Sequence, residues 1–304
     1  MARWSGPRRN CRIGLTASTP FSLSPVRLGI LLTLLGMLLF ALNDAMGKWL
    51  LTTYSVGQVL LIRSLFALLF LVPMIWRAGG IKLLIVQRRG FQALRVGFST
   101  LEVLCFYGAV AAMPLADVAT FWLAAPICVA ALSPLLLNER ASGARWIAIG
   151  LGFAGVLIAL APTGQGGFGP KALAIVGTLS FAMMVVTGRT LRGTPDLALV
   201  FWQNVGAGVA GLVLSPFAWV ETGSLDLLLL GLLGVVAMAA HICVTRALKL
   251  ASAVIVAPFQ YALLPYAILF GWLFFSDLPQ PLTLLGAAVI AGSGLFLFWR
   301  GERA

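Results

Sequence analysis

The chain has 304 residues, of which 61% are hydrophobic and 10% charged, and its mean hydropathy is +1.02. An ordinary soluble domain is about 45–50% apolar and about 25% charged, and a water-facing surface cannot be built from so few polar groups, so a soluble enzyme or binding module is excluded. The formal charge of +12 does not point to nucleic acid, because the basic residues sit between apolar runs instead of gathering on one face of a soluble module.

Residues 1–27 carry Arg3, Arg8, Arg9, Arg12 and Arg27 among Ser, Pro and Thr. A basic start before an apolar run imitates a signal peptide, but Leu28 to Leu51 is long enough to span and no small-residue cleavage site follows. The segment is read as a cytoplasmic tail. Apolar stretches bounded by turn or charge signals then predict ten helices, at 29–51, 58–76, 97–113, 118–137, 146–162, 171–188, 197–219, 227–248, 254–275 and 282–299. The short connections between them leave no room for a soluble domain. With the N-terminus inside, eighteen of the 21 basic residues fall on the cytoplasmic side, whereas Lys48 and Lys171 lie outside and Arg63 lies within the second span. That asymmetry predicts cytoplasmic N- and C-termini.

The chain also repeats itself. Gly36-Met-Leu-Leu-Phe40-Ala41 leading to Gly47-Lys48 recurs 141 positions on as Gly177-Thr-Leu-Ser-Phe181-Ala182 leading to Gly188-Arg189. Leu137-Asn138-Glu139 echoes Phe275-Ser276-Asp277 at a shift of 138, as Phe121 echoes Phe259. The expected organisation is a tail (1–27), a first five-helix repeat (28–162), an outer linker (163–170), a second repeat (171–300) and a C-terminal tail (301–304). Five is odd, so the second repeat enters the membrane in the opposite direction, an arrangement suited to alternating access. The fold class is therefore all-α integral membrane, ten transmembrane helices as two inverted-topology repeats around a central cavity.

Ionisable residues at membrane depth are costly unless paired or hydrated. Asp44 and Lys48 share one face of the first span and could pair with each other or serve substrate or proton. Arg63, at a similar depth in the second span, could tie to Asp44. Glu102 in the third span either couples protons or pairs with Arg95 or Arg246, and Tyr107 follows it by five residues. His241 reads as a packing residue or a functional one. Trp122, Gln260, Tyr261 and Tyr266 offer aromatic and amide surface near Pro114, Pro126, Pro134, Pro258 and Pro265, which interrupt backbone hydrogen bonding. Gly150-x3-Ala154 and Ala288-x3-Gly292 permit close helix approach, as scaffold or as a homodimer contact through helices 5 and 10.

Cys11, Cys105, Cys128 and Cys243 have neither disulfide nor zinc spacing. His241 is the single histidine, which excludes multi-histidine metal chemistry and leaves a carboxylate-only site open. No HExxH, Walker or Gly-x-Ser-x-Gly pattern occurs, so neither an ATPase nor a recognisable hydrolase is expected. No cofactor or metal is assigned.

Pro114-Leu-Ala-Asp117, Leu137-Asn-Glu139-Arg140, Thr245-Arg246-Ala-Leu248 with Ala251-Ser252-Ala253, and Gly271-Trp272-Leu-Phe-Phe-Ser-Asp277 resemble the drug/metabolite transporter superfamily, EamA type, over residues 28 to 300. The resemblance implies a bacterial inner-membrane carrier, not an enzyme, with a cavity lined mainly by helices 1, 3, 4, 6, 8 and 9. Its substrates would be small molecules and its solvent the lipid bilayer, with proton coupling a candidate. Carried onto this chain, the cavity positions are Asn43, Asp44, Glu102, Tyr107, Trp122, His241, Gln260 and Tyr261, and the candidates for charge pairing or coupling are Asp44, Lys48, Arg63 and Glu102. The sixth span has Met183, Met184 and Val185 where the first has Leu42, Asn43 and Asp44, which argues against a symmetric polar site. The leading expectation is an exporter of a small zwitterionic or amphipathic metabolite, an amino acid or an amino-acid-derived metallophore. An importer of a vitamin or nucleotide-like compound, of riboflavin or S-adenosylmethionine class, is the alternative, and a membrane-embedded transferase the third.

Overall fold

The fold was analysed in a computed structural model, which describes residues 24–137, 143–159, 167–191, 193–250 and 259–301. Among these residues all regular structure is helical. Eleven α-helices follow one another: α1 (Pro25–Leu50), α2 (Val56–Ala78), α3 (Arg89–Val110), α4 (Leu115–Leu123), α5 (Ala125–Leu137), α6 (Gly143–Ala159), α7 (Phe168–Arg189), α8 (Asp196–Leu214), α9 (Ser224–Leu250), α10 (Leu263–Phe275) and α11 (Pro281–Gly301). Short 3-10 turns occupy Gly80–Leu84 and Ser215–Phe217.

Local sequence explains the boundaries. Ser24 accepts a hydrogen bond from the Arg27 N–H at 3.4 Å and Pro25 follows it, so an orphan donor is satisfied just where proline needs none. Ser55 caps α2 in the same way through the Gln58 N–H at 3.3 Å. Gly79, at φ 142°, ends α2 with a backbone that L side chains rarely adopt. At the end of α10, Ser276 turns left-handed at φ 54°, and its N–H and that of Asp277 return to the carbonyls of Trp272 and Gly271.

Among the described residues six helices are long and apolar enough to cross a membrane: Pro25–Leu50, Val56–Ala78, Arg89–Val110, Phe168–Gly188, Asp196–Phe217 and Ser224–Ala247. Shorter apolar helices cover Leu115–Val129, Trp146–Ala159, Leu263–Phe275 and Pro281–Phe296. The third helix begins at Arg89, eight residues before the expected 97, and takes in Arg95. Its guanidinium reaches the Leu199 carbonyl on α8 at 3.4 Å, so the chain can carry that charge inside a helix. The fourth predicted span, 118–137, is two helices broken at Ala124. Pro126 has no N–H to give the Trp122 carbonyl, and the Ala124 N–H folds back to Phe121 at 3.0 Å. A turn at Tyr261–Ala262 similarly precedes α10, 138 positions later, with Pro265 just beyond it.

Packing is pairwise. α1 lies along α9, α3 along α7, α2 along α8 and α6 along α11, with α2 also against α9 and α3 against α8. Glycines set the closest crossings. A Cβ at Gly211 would stand 2.8 Å from both the Gly57 carbonyl oxygen and the Leu61 Cα, and one at Gly286 would stand 2.7 Å from the Gly155 carbonyl oxygen. The α6–α11 contact therefore runs through Gly155 and Gly286. Gly150, Ala154, Ala288 and Gly292, the predicted small-residue stripes, are exposed instead. Tyr107, Leu60, Leu115, Leu230 and Leu233 form the main buried cluster, while Leu69, Trp76, Leu157 and Leu228 face outward. An apolar exterior around a core holding buried polar groups is what a bilayer solvent requires.

Candidate functional site

Four elements bring ionisable and aromatic groups together inside the bundle. α1 supplies Asn43 and Asp44, α2 supplies Arg63, α3 supplies Glu102, Phe106 and Tyr107, and α4 supplies Trp122. Asn43 Nδ2 donates to Asp44 Oδ1 at 3.1 Å. Arg63 Nη1 donates to Tyr107 Oη, and its guanidinium lies 5.4 Å from the centre of that ring. Trp122 Nε1 donates to Glu102 Oε1 at 3.0 Å, and its ring meets Phe106 edge-on at 5.1 Å. The Arg63 charge acts on both Asp44 and Glu102, and the two carboxylates act on each other. No ion pair within 4.0 Å joins any of these three. Two repeat-motif glycines make room for the rings: a Cβ at Gly47 would stand 2.6 Å from the Tyr107 ring, and one at Gly177 would stand 2.5 Å from the Trp122 ring.

These partners differ from the expected ones. Asp44 pairs with neither Lys48 nor Arg63, and Glu102 takes Trp122 instead of Arg95 or Arg246. Lys48 instead reaches Asp277 Oδ2 at 2.5 Å, beyond the end of α10, with its ammonium 4.7 Å from the centre of the Phe275 ring. Its stem carries the charge to the end of the helix, away from Asp44 one turn earlier. Asp117 belongs to the same end: it is hydrogen-bonded to Thr283 and feels the charges of Lys171, Asp277 and Lys48.

His241 is held on three sides. Its Nδ1 lies 2.8 Å from the Ala237 carbonyl oxygen, which can only accept, so Nδ1 carries a proton. Its Nε2 is 2.9 Å from the Gln203 amide nitrogen, and Phe40 meets the ring edge-on at 4.8 Å. Gln260 is half-buried. Tyr261, a candidate for the cavity, packs against Gly294 of α11 and the cluster of Leu123, Ile127, Ile149 and Ile290. The turn at 261–262 re-aims its ring toward α11, a change invisible in helical periodicity. Arg140, Leu137–Glu139 apart from Leu137 itself, and Ala251–Ala253 lie outside the described residues. Asp277 and Gln203 were the partners missing from the sequence reading.

The EamA-like transporter family profile matches residues 27–161 and again 171–299. The chain belongs to the EamA-like transporter family. Three EamA-like relatives illustrate its range. The S-adenosylmethionine uptake transporter of Rickettsia prowazekii is 25% identical over 286 residues, 91% of this chain and 94% of its own. The riboflavin transporter of Rhizobium johnstonii is 28% identical over 289 residues, 92% and 94% of the two chains. The pseudopaline exporter CntI of Pseudomonas aeruginosa is 28% identical over 272 residues, 86% and 93%. A crystal structure aligns over 90% of this chain and 98% of its own with a TM-score of 0.63 and 17% identity, a shared fold. The chain is thus a multi-pass membrane transporter of small molecules.

Proposed function

We propose that this EamA-like transporter is a secondary carrier in a bacterial inner membrane, moving a small zwitterionic metabolite of amino-acid type by alternating access. The observation that carries this reading is the convergence of Asp44, Glu102 and Arg63 within one bundle without an ion pair among them. Two carboxylates and one guanidinium at membrane depth remain costly while unpaired, and a solute bearing both signs of charge would relieve that cost. Trp122 and Phe106 beside them suit an organic side chain.

Ten crossings as two inverted repeats are supported by helix pairing. The reading takes α4 with α5 as one span, and α10 with the residues before it as another. Exchanging each span with the one five places away then turns the α1–α9 contact into α7–α3 and α2–α9 into α8–α3, and leaves α2–α8 and α6–α11 unchanged. A two-fold axis in the membrane plane has that effect. The breaks at Ala124 and Ala262 obey the same exchange. Cytoplasmic termini follow from the basic residues. The exposed Gly150, Ala154, Ala288 and Gly292 leave a face for a second copy.

Export is the direction proposed, with the pseudopaline exporter as its precedent; the Rickettsia uptake transporter favours import as the second reading. Comparative metabolite profiling of cells and medium, with and without overexpression, tests both. A compound enriched outside by the wild type and not by an Asp44→Asn, Glu102→Gln variant supports the exporter and the site. Enrichment inside selects the importer, and an unimpaired variant rejects the site.

A further inference from the structure

Arg63 is 7% exposed, and its Nε is buried without a hydrogen-bond partner. The bond found for its guanidinium goes to a neutral phenol, that of Tyr107. Buried guanidinium groups are normally neutralised by a carboxylate at contact distance, because the five donors fit that anion and the desolvated charge needs it. Here both nearby carboxylates stay beyond 4.0 Å, each occupied by its own donor, Asn43 for Asp44 and Trp122 for Glu102. Asn43 Oδ1, beside them, is also buried without a partner. The guanidinium is therefore left without a carboxylate partner, although two carboxyl groups lie near it.

We infer that Arg63 is the anchor for a carboxylate on the transported solute, with Tyr107 holding the guanidinium until that carboxylate arrives. The inference rests on the carrier reading above and narrows it, since it turns Arg63 from a structural tie into the specificity-determining residue. The solute's ammonium is then matched to the carboxyl groups of Asp44 and Glu102. A phosphate fits less well, because its second negative charge would face those two carboxylates. The Tyr107 ring is pressed on Gly47, where even a Cβ would stand 2.6 Å away. Phenol and guanidinium are thus held in register by α1 while Nε remains free.

The test compares Arg63→Gln, Arg63→Lys and Tyr107→Phe in the full-length protein, with two readouts. One is the set of the cell's own metabolites, each identified by mass, whose distribution the wild type changes. The other is the melting temperature of the purified, unliganded protein. The expected result is that every redistributed compound carries a carboxylate. Arg63→Gln should lose at least about tenfold in transport, and Arg63→Lys should keep part of it, because a lysine is a point charge without the guanidinium fork. Arg63→Gln should melt at or above the wild-type temperature, since it removes a buried charge that lacks its partner. A redistributed compound with no carboxylate, or unimpaired transport by Arg63→Gln, overturns the proposal. So does a joint fall in melting temperature for Arg63→Gln and Tyr107→Phe, which marks a structural tie. If the wild type redistributes nothing, the carrier reading fails. In that case the anchor falls with it, whereas transport of a compound without a carboxylate removes the anchor and keeps the carrier.

Discussion

Lys48 and Asp277 are 229 residues apart in the chain and 2.5 Å apart in space, so the end of α1 is fastened to the turn after α10. The lysine side chain is 15% exposed and the aspartate 33%. Partial exposure discounts the Coulomb gain, and removing either partner should cost about 1 kcal/mol. Lys48→Ala and Asp277→Ala should each lower the melting temperature by a few degrees, whereas the double variant Lys48→Ala, Asp277→Ala should lose clearly less than the sum of the two. Scanning fluorimetry of the four proteins, read as a double-mutant cycle, checks it; strictly additive losses would show that the two charges do not interact.

Trp122 and Glu102 separate acceptor from charge. Glu102→Gln keeps an oxygen for the Trp122 N–H, 3.0 Å away in the wild type, so stability should hold while transport of a zwitterion falls. Glu102→Ala leaves that indole donor unmet and should cost about 1–3 kcal/mol. Equal melting of all three proteins would show that the bond contributes nothing to the fold.

Glycine substitutions should divide by location. Gly211→Ala forces a methyl onto the backbone of α2, 2.8 Å from the Leu61 Cα and the Gly57 carbonyl, and should destabilise by about 1–3 kcal/mol. Gly150→Ala and Gly292→Ala meet nothing within 4 Å and should be neutral or stabilising by up to about 1 kcal/mol through helix propensity. A loss of dimer on size exclusion with either exposed-face variant would mean that a second copy packs there.

Tyr54, in the turn between α1 and α2, donates its phenol to Asp226 Oδ2 at 2.6 Å. That bond to a carboxylate, before any effect of burial, lifts the phenol above its ordinary value of 10.0. The folded form thus holds this proton more tightly than the unfolded chain. The resulting stability is complete below pH 10.0 and is lost as pH rises through the folded value. Thermal melts across that alkaline range should show a steeper decline for the wild type than for Tyr54→Phe; parallel curves would count against the bond.

The periodicity of apolar residues was legible in the sequence because each helix must satisfy its own backbone in lipid, and this demand is local. The same local logic located Asp44, Arg63, Glu102 and His241 as groups that lipid alone would not tolerate. Fine positions were less legible. The start of α3 is not legible, because a charge such as Arg95 looks identical in a loop and in a helix that has a carbonyl to offer it. The break at Ala124 is signalled by Pro126, yet where the counterpart turn at Tyr261–Ala262 sends the Tyr261 ring is not, since a turn redirects a side chain by an angle that spacing does not encode.

By itself the sequence determined a multi-pass helical transporter of the EamA-like family and the identity of its buried charges. Tertiary structure alone decided the partners: Lys48 with Asp277, Glu102 with Trp122, Arg63 with Tyr107. Pairing depends on distances between helices that are remote in the chain, and those distances are set where glycines such as Gly47, Gly177 and Gly211 let backbones and rings approach.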